Sequence, residues 1–298
     1  MKILVTGCGG FIGSHLCEKL LENHNVNIVG IDTFIGPTPE SISRQNLKNL
    51  LLHPRFRFVE ENLETINWEA YLQDVEYVYH LAGMPGVRSS WGSDFQKYVI
   101  NNIDVTQRLL EASKHVPLKK FIYSSTSSVY GETVGKVSEN ARTEPLSPYG
   151  ITKLTGEHLC HVYRKSFGVP TVIVRYFTVY GPRQRSDMAF HRFIKNIIQG
   201  KPITIFGDGS QTRDFTFVHD CVKATASVLY ADGVIGEIIN IGGKERAPYW
   251  ISLRKWRNLL VIRRKWFLRK KQSGSRSIRG RISTKQKNCS LISQKLIS

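Results

Sequence analysis

Short apolar runs alternate with longer amphipathic stretches along the first 180 residues of the chain. The amphipathic stretches have helical periodicity, most clearly over residues 95–115 and 147–167. The apolar runs are rich in Val, Ile, Phe and Tyr, as buried strands are; they are KILVTG, VNIVGID, FRFVE, VEYVYHLA, KKFIYSS and PTVIVRYF. Such alternation predicts an α/β fold, in which helices cover both faces of a doubly wound parallel sheet.

The hydrophobic pattern changes after Gly181. AFHRFIKNIIQGK and CVKATASVLYA have the period of helices, whereas PITIFGDG and RDFTFVHD resemble strands. We therefore divide the chain into a main domain over residues 1–180, a smaller C-terminal lobe over residues 181–246, and a tail over residues 247–298.

The tail accounts for most of the net charge of +18. It holds 15 of the 42 Lys and Arg residues and none of the 24 acidic residues, so the first 246 residues are nearly neutral. At ordinary composition, a segment of this length without an acid occurs by chance in roughly one protein in a thousand. Our first hypothesis is a reading-frame change near Ala247, which predicts an incomplete lobe and impaired activity.

A second interpretation makes the tail a binding module. Trp250, Trp256 and Trp266 lie among its basic residues, a composition that can bind nucleic acid or an anionic membrane surface. The nearly neutral body offers no basic surplus to match, so we favour the first hypothesis and expect neither nucleic acid nor a membrane as a partner.

The cysteine pattern indicates a reducing compartment. The five cysteines are scattered, odd in number and without a CxxC pair: Cys8, Cys17, Cys160, Cys221 and Cys289. This argues against a disulfide framework and against a zinc site. No run reaches the ~20 apolar residues of a membrane span, and the first apolar run is too short for a secretory signal. We expect a cytoplasmic protein.

The stretch TGCGGFIG lies where the first predicted strand turns into the first predicted helix. Its glycines, Gly7, Gly10 and Gly13, allow a tight turn that brings backbone N–H groups to a pyrophosphate at the helix N-terminus. Asp32 ends the second predicted strand. A carboxylate there accepts hydrogen bonds from ribose hydroxyls and repels a 2′-phosphate, which predicts NAD rather than NADP as the cofactor.

Two further patterns contain side chains that could take part in catalysis. Tyr149 and Lys153 in SPYGITK are four residues apart at the start of a predicted helix, so they share a face. A nearby ammonium favours a phenolate and would lower the tyrosine pKa from about 10 towards a working range. Upstream, FIYSSTSSVYG places five hydroxyl residues, Ser124 to Ser128, at the end of a predicted strand. Ser124 and Ser125 could equally serve only to bond backbone groups there.

In this order, the motifs TGxxGFIG, HLAG, SSTSSVYG, YGITK and RYFTVYGPRQR resemble the extended short-chain dehydrogenase/reductase family of nucleotide-sugar epimerases and dehydratases. The resemblance covers Met1 to about Arg246. It implies a Rossmann-like sheet, a tightly held NAD, a UDP- or dTDP-sugar substrate and a homodimer formed through the helices at residues 95–115 and 147–167.

The resemblance also implies residue roles. Thr126 and Tyr149 would act on the sugar, Lys153 would orient the nicotinamide ribose, and Asn102 would support the site. The implied cofactor-binding residues are Gly7, Gly10, Phe11, Ile12, Gly13, Asp32, Asn62, Leu63, Leu81, Ala82, Asn102, Tyr149 and Lys153. The implied substrate-binding residues are Arg88, Ser127, Ser128, Thr178, Arg185, Met188, Phe190 and Arg213. Arg213 best matches a diphosphate contact, since a guanidinium offers a bidentate fork.

Ser127 and Ser128 limit which of the family's reactions this chain can be expected to catalyse. Dehydratases that resemble this chain have an Asp-Glu pair there, and UDP-glucuronate decarboxylases usually have a Glu at the position of Ser128. Serines cannot act as such acids or bases, which leaves epimerisation at C4. Thr178 and the stretch TVYGPRQRSDMAFHRF most resemble UDP-glucuronate 4-epimerases, where neutral hydroxyls can hold the substrate carboxylate. UDP-glucose 4-epimerase and UDP-glucuronate decarboxylase remain the alternatives.

Overall fold

A computed structural model of the protein describes residues 1–133, 135–201, 203–206, 212–243, 246–248 and 268–271. Its strands are β1 (Lys2–Thr6), β2 (Asn27–Ile31), β3 (Phe56–Val59), β4 (Tyr77–His80), β5 (Lys120–Thr126), β6 (Thr171–Tyr176), β7 (Thr178–Tyr180), β8 (Ile203–Phe206), β9 (Thr212–Phe217), β10 (Ile238–Ile241), β11 (Arg246–Pro248) and β12 (Leu268–Lys271). Its α-helices are α1 (Phe11–Leu21), α2 (Glu40–Leu47), α3 (Trp68–Leu72), α4 (Phe95–Val99), α5 (Val105–Ser113), α6 (Pro148–Phe167), α7 (Ala189–Ile198) and α8 (Val218–Ser227).

Seven parallel strands form the central sheet in the order β10–β6–β5–β4–β1–β2–β3. All six strands expected from the sequence lie in it, which confirms the predicted Rossmann-like α/β fold. The strand order reverses around β1, whose neighbours are β2 and β4. In doubly wound folds, ligands bind in the crevice beyond the carboxyl ends of the strands at this reversal.

Helices bury both faces of the central sheet. One core cluster contains Leu16 of α1 and Val222 of α8, and the other contains Leu109 of α5 and Tyr163 of α6. Strands that are covered on both faces can be apolar almost throughout, which explains the continuous runs in the sequence. Because these helices cover the faces of the sheet, the polar residues at the ends of the strands are the part of the sheet that solvent can reach.

The two longest predicted helices are present, and each has a feature that bears on the site. The stretch at residues 95–115 forms α4 and α5, joined by a π-helical turn at Ile100–Asp104. Such turns are frequent at functional sites. α6 begins after Ser147, whose Oγ accepts the Gly150 N–H at 3.1 Å, and it ends at Gly168, with φ 73°. These are favourable capping residues at the two ends.

Beyond Gly181, the chain contributes to more than one sheet. β11, β9 and β7 form a three-stranded sheet, and β12 pairs with β8. β10, which the sequence pattern did not reveal, returns to the central sheet beside β6. α8 begins at Val218, three residues earlier than expected.

The tail lies almost wholly outside the described residues. Apart from Pro248 and its neighbours in β11 and the four residues of β12, the expected effects of a reading-frame change fall on positions that the structure does not describe. Among the helices that it does describe, none has the length and apolar composition needed to cross a membrane.

Candidate active site

A cleft opens beyond the carboxyl ends of the central strands and encloses about 1410 Å³, including its open mouth. All of the expected cofactor residues except Asn102 line it: Gly7, Gly10, Phe11, Ile12, Gly13, Asp32, Asn62, Leu63, Leu81, Ala82, Tyr149 and Lys153. Thr126, Arg185 and Met188 line the same cleft. Residues from seven separate parts of the chain thus meet at the reversal of strand order.

The glycine turn after β1 is built for close approach. Gly7 has φ 74°, and a Cβ there would lie 2.7 Å from the Ala82 nitrogen. A Cβ on Gly13 would lie 2.0 Å from the Gly7 carbonyl oxygen. The helix α1 can therefore pack against the turn only if position 13 has no side chain. No side chain caps α1 at Gly10. Its first N–H groups can therefore receive an anion such as a pyrophosphate.

Asp32 closes β2 at the edge of this turn. Its Oδ2 accepts the Gly9 N–H at 2.9 Å, and its Oδ1 accepts the Phe34 N–H at 2.8 Å. Burial raises the pKa of Asp32, and these backbone hydrogen bonds offset part of that rise. The glycine turn, the uncapped helix and a carboxylate lining the same cleft fit an adenine dinucleotide.

Replacing Asp32 with Ala is expected to weaken NAD binding by about 10- to 100-fold, because a hydrogen bond to a charged group contributes about 1.5–3 kcal/mol. In the unaltered protein, NAD affinity should fall as the pH falls through the raised pKa of Asp32, since protonation removes the charged acceptor. Calorimetric titration measures both effects.

The matched control is Asp32→Asn, which keeps the side-chain shape and removes its charge. It should gain affinity for NADP, because nothing then repels the 2′-phosphate. Equal NAD and NADP affinities in all three proteins would contradict this role for Asp32.

The loop that follows Asp32 is a part of the cleft that the sequence did not predict. Phe34 adopts φ 58°, its ring stacks on Phe58 with centroids 5.8 Å apart, and the Arg44 guanidinium carbon lies 4.6 Å from its centroid. Residues 33–38 line the cleft. The GPTP turn is the only sequence signal for this loop, and it does not indicate where the loop folds.

Tyr149 and Thr126 form the chemical centre. Thr126 is the last residue of β5, Tyr149 lies in the first turn of α6, and both line the cleft, where the Thr126 hydroxyl is near enough to the Tyr149 phenol to influence its ionisation. The Tyr98 ring packs edge-on against Tyr149 with centroids 6.2 Å apart. Sequence reasoning did not identify Tyr98, because its contact with Tyr149 spans two helices.

The ionisation of Tyr149 differs from our expectation. Burial raises its pKa above the ordinary value, while the nearby Thr126 hydroxyl and the charge of Arg185 act in the opposite direction. The expected lowering by Lys153 is wrong for this structure. The Lys153 ammonium instead lies 4.3 Å from the centroid of the Tyr123 ring, and burial lowers the pKa of Lys153 to about 8.

The hydroxyl row divides into two parts. Ser124, Ser125 and Thr126 are buried in β5 and line the cleft. Ser127 and Ser128 begin a 3₁₀ turn and are not among the residues that line the cleft. Thr126 Oγ1 accepts the Ser128 N–H at 3.2 Å and donates to Ser128 Oγ at 3.3 Å. Ser127 and Ser128 therefore directly follow Thr126, the last residue of the row that lines the cleft, and lie next to the chemical centre.

Ser125 has a role that the sequence did not suggest. It donates to the Glu157 carboxylate rather than to a backbone group. The Arg175 guanidinium binds both oxygens of that carboxylate, at 2.9 and 2.6 Å, and the pair is buried. A buried ion pair of this geometry is neutral as a unit, so Glu157 places no free carboxylate charge beside Thr126.

The remaining substrate candidates are spread around the cleft. Arg185 lines it and binds Asp187 through two hydrogen bonds, of 2.9 and 3.0 Å. Thr178 begins β7, and Phe190 is buried against Phe215 with ring centroids 4.4 Å apart. Thr178 and Phe190 are not among the residues that line the cleft. Arg88 is exposed. The side chain of Arg213 lies outside the described part of the structure.

Asn102 supports the site from behind. It lies in the π-helical turn, fully buried, where its Oδ1 accepts the Met84 N–H at 2.7 Å. Its Nδ2 donates to the Met84 carbonyl at 3.1 Å and to Thr152 Oγ1 at 3.0 Å. Asn102 thus ties the loop after β4 to α6, next to Lys153, without lining the cleft.

Comparison with known proteins agrees with this architecture. Residues 3–242 match the NAD dependent epimerase/dehydratase family. An uncharacterized UDP-glucose epimerase of Bacillus subtilis, YtcB, is 61% identical over 247 residues, which cover 83% of this chain and 78% of that protein. A UDP-glucuronate 4-epimerase of Thermodesulfobacterium geofontis is 40% identical over 247 residues, covering 80% of this chain and 74% of its own.

A solved structure gives the same result. The UDP-glucuronic acid 4-epimerase of Bacillus cereus, crystallised with UDP-glucuronic acid and NAD, superposes with a TM-score of 0.89 at 56% identity, covering 91% of this chain and 86% of that one. The match over most of the chain, in sequence and in structure, shows that this chain belongs to the NAD-dependent epimerase/dehydratase family.

Proposed function

We propose that this protein interconverts UDP-glucuronate and UDP-galacturonate by NAD-dependent chemistry at C4 of the sugar. The observation that carries the proposal is that Thr126 and Tyr149 lie near each other in the lining of one dinucleotide cleft, followed in the chain by Ser127 and Ser128. Such a pair can move a proton at C4, and two serines cannot serve as the acid and base of a dehydration. The Bacillus cereus relative, with UDP-glucuronic acid and NAD bound, supports the same assignment.

In this mechanism, Tyr149 takes the proton from the C4 hydroxyl, directly or through Thr126, and later returns it. Gly7, Gly10, Asp32 and Lys153 would hold the cofactor. Bound NAD supplies the hydride acceptor for C4 and the hydride donor for the resulting 4-keto sugar. Turning that sugar within the cleft presents its other face, and reduction there inverts C4.

The substrate carboxylate places a condition on the site. Once C4 is oxidised, the sugar is a β-keto acid that can lose CO₂, so the protein must bind the carboxylate without an acid that would assist this loss. Hydroxyl donors do this, each hydrogen bond to a charged acceptor contributing about 1.5–3 kcal/mol. Ser127, Ser128 and Thr178 are the proposed donors, and the only carboxylate bonded to the hydroxyl row among the described residues, Glu157, is neutralised by Arg175.

The test is incubation of the full chain with NAD and UDP-glucuronate, with UDP-glucose in a parallel reaction. Because the two uronates have equal mass, chromatography or proton NMR must separate UDP-galacturonate, and mass spectrometry monitors the loss of CO₂. We expect UDP-galacturonate as the product and little reaction of UDP-glucose. Faster turnover of UDP-glucose, or a UDP-pentose as the main product, would assign one of the two alternative activities instead.

We also propose that the protein is a homodimer formed through α4 and α6. Phe95 on α4 and Ile151, Val162 and Phe167 on α6 are large apolar side chains that are exposed in the single chain. Ile151 and Val162 are eleven residues apart, which places them on one face of the helix. Light scattering should give twice the chain mass, and Ile151→Arg with Val162→Arg should halve it. A monomeric unaltered protein would contradict the proposal.

We propose the cytoplasm as the site of action. Cys8, Cys17, Cys160 and Cys221 are buried free thiols. Buried thiols of this kind are typical of a reducing compartment. Cell fractionation tests this assignment, and recovery of the protein outside the cytoplasm would contradict it.

For the chain as a whole, we propose an NAD-binding domain over residues 1–180, a partial substrate lobe over residues 181–246 and a frame-shifted tail from residue 247. The family match, which ends at residue 242, and the loss of acidic residues beyond Glu245 support this division. Genomic DNA should encode an epimerase-like continuation in another frame after Ala247. A single frame shared by related genes would instead favour a binding tail, and so would salt-dependent binding to DNA or liposomes that requires residues 247–298.

A further inference from the structure

The Lys153 ammonium has an unusual neighbour. Lys153 is buried in α6, and its Nζ lies over the face of Tyr123, 4.3 Å from the ring centroid. Tyr123 is fully buried in β5, three residues before Thr126. A cation over an aromatic face is attracted by the ring quadrupole, and the attraction is larger where water is excluded. The ring therefore interacts with the one side chain expected to orient the nicotinamide ribose.

The Tyr123 ring is fixed in place by the helix above it. Its hydroxyl donates to the Lys153 carbonyl at 3.4 Å. A Cβ on Gly156 would lie 2.0 Å from that hydroxyl oxygen, so the glycine leaves space that the phenol fills. The ring cannot move towards α6, and Lys153 cannot move through the ring. The two side chains thus set each other's position between β5 and α6.

The other titratable groups near Lys153 give it little direct help. Burial lowers the pKa of Lys153, and Cys160 and Glu157 of α6 act in the opposite direction. Glu157 is already paired with Arg175. Tyr149 of α6 is not among the groups that shift the pKa of Lys153. Among the described residues, the Tyr123 ring is thus the aromatic face that stabilises this buried cation.

His80 of β4 is paired in register with Tyr123 of β5, with ring centroids 5.9 Å apart, and it is held neutral. Thr106 donates its only hydroxyl proton to the Asn102 carbonyl at 2.8 Å, so it must accept from His80 Nε2 at 3.0 Å. Nδ1 then accepts from Thr6 Oγ1 at 2.7 Å. Burial, followed by the charge of Lys153, lowers the pKa of His80 to about 3. His80 therefore adds no second positive charge near Lys153.

We propose that Tyr123 is a positioning residue whose ring face holds the Lys153 side chain in place and keeps its buried ammonium protonated. Its consequence for turnover rests on the proposed function, whereas its effect on Lys153 itself does not. No catalytic contact of Tyr123 with the substrate is implied, since the ring is fully buried below Lys153.

The direct test compares two rings of nearly equal shape at position 123 in the full chain. Tyr123→Phe keeps the electron-rich face, and substitution of Tyr123 by pentafluorophenylalanine reverses the quadrupole. The ionisation of Lys153 is followed by NMR of ¹³C-labelled lysine without substrate, and the signal is assigned by its loss in Lys153→Met. We expect Tyr123→Phe to titrate as the unaltered protein does, and the fluorinated ring to shift the titration down by about one pH unit, or about 1.4 kcal/mol. Identical titrations for the two rings would overturn the proposal.

A second comparison separates positioning from general loss of packing. Tyr79 is also fully buried, on the adjacent strand β4, but in the other core cluster, with its hydroxyl bonded to the Thr225 carbonyl. Tyr123→Leu should lower kcat more than tenfold with little change in KM, and should move the alkaline limb of the kcat profile to lower pH. Tyr79→Leu should lower the melting temperature by a similar amount and leave that limb in place. An equal movement of the limb in both variants, or a failure of Tyr123→Phe to restore it, would overturn the proposal.

Discussion

Replacing Tyr149 with Phe is expected to lower kcat for UDP-glucuronate by at least about 10²-fold, because general acid–base groups contribute about 10²- to 10⁴-fold. The change removes only the phenol oxygen, which lies beside Thr126 in the cleft lining. KM and NAD affinity should change little, since the ring still fills its place beside Tyr98. Steady-state kinetics and calorimetry measure the three quantities.

Tyr163→Phe is the matched control for that variant. Tyr163 lies on the same helix, but its hydroxyl is bonded to Gln107 and Glu111, away from the cleft. We expect it to lower stability slightly and to leave kcat unchanged. Near-normal turnover by Tyr149→Phe would remove Tyr149 from the mechanism, and an equal loss in both variants would mean that α6 as a whole had been disturbed.

Introducing a carboxylate beside Thr126 should have the second large effect. Ser128→Glu adds a negative charge where Ser128 Oγ now lies 3.3 Å from Thr126 Oγ1. Two carboxylates about 4 Å apart repel each other by about 4 kcal/mol at an effective dielectric constant of 20. We therefore expect a loss of about 10²-fold or more in kcat/KM for UDP-glucuronate, and a larger share of CO₂ loss among the products.

The control for this charge is Ser128→Gln, which has nearly the same volume and no charge. It should retain most of the activity that Ser128→Glu loses, and turnover of the uncharged UDP-glucose should distinguish the two variants far less. Equal losses from Glu and Gln would show that size matters at position 128, and would contradict the role of neutral hydroxyls near the substrate carboxylate.

The sequence was sufficient for features that depend on local spacing. The continuous apolar runs located the six strands, and the helical periodicity located the long helices. The glycines and Asp32 were found because their order relative to the first two strands is itself the signal. Tyr149 and Lys153 were found in the same way. β10 was not, since its short apolar run has no feature that separates it from a turn.

The interactions that were missed join residues far apart in the sequence. Ser125, Glu157 and Arg175 form one buried network across β5, α6 and β6, and no sequence spacing connects them. The pKa of Tyr149 was expected to fall, and burial raises it instead, because the depth of a side chain depends on packing that the local pattern does not contain. The same reason hid the contact of Lys153 with Tyr123.

The most direct test of the central claim uses UDP-glucuronate that carries deuterium at C4. Transfer of hydride to a bound cofactor and back predicts UDP-galacturonate that keeps the deuterium at C4, with no deuterium at C5 when the reaction is run instead in D₂O. NMR of the product measures both positions. Loss of the C4 label to solvent, or exchange at C5, would contradict epimerisation through a 4-keto sugar in this cleft.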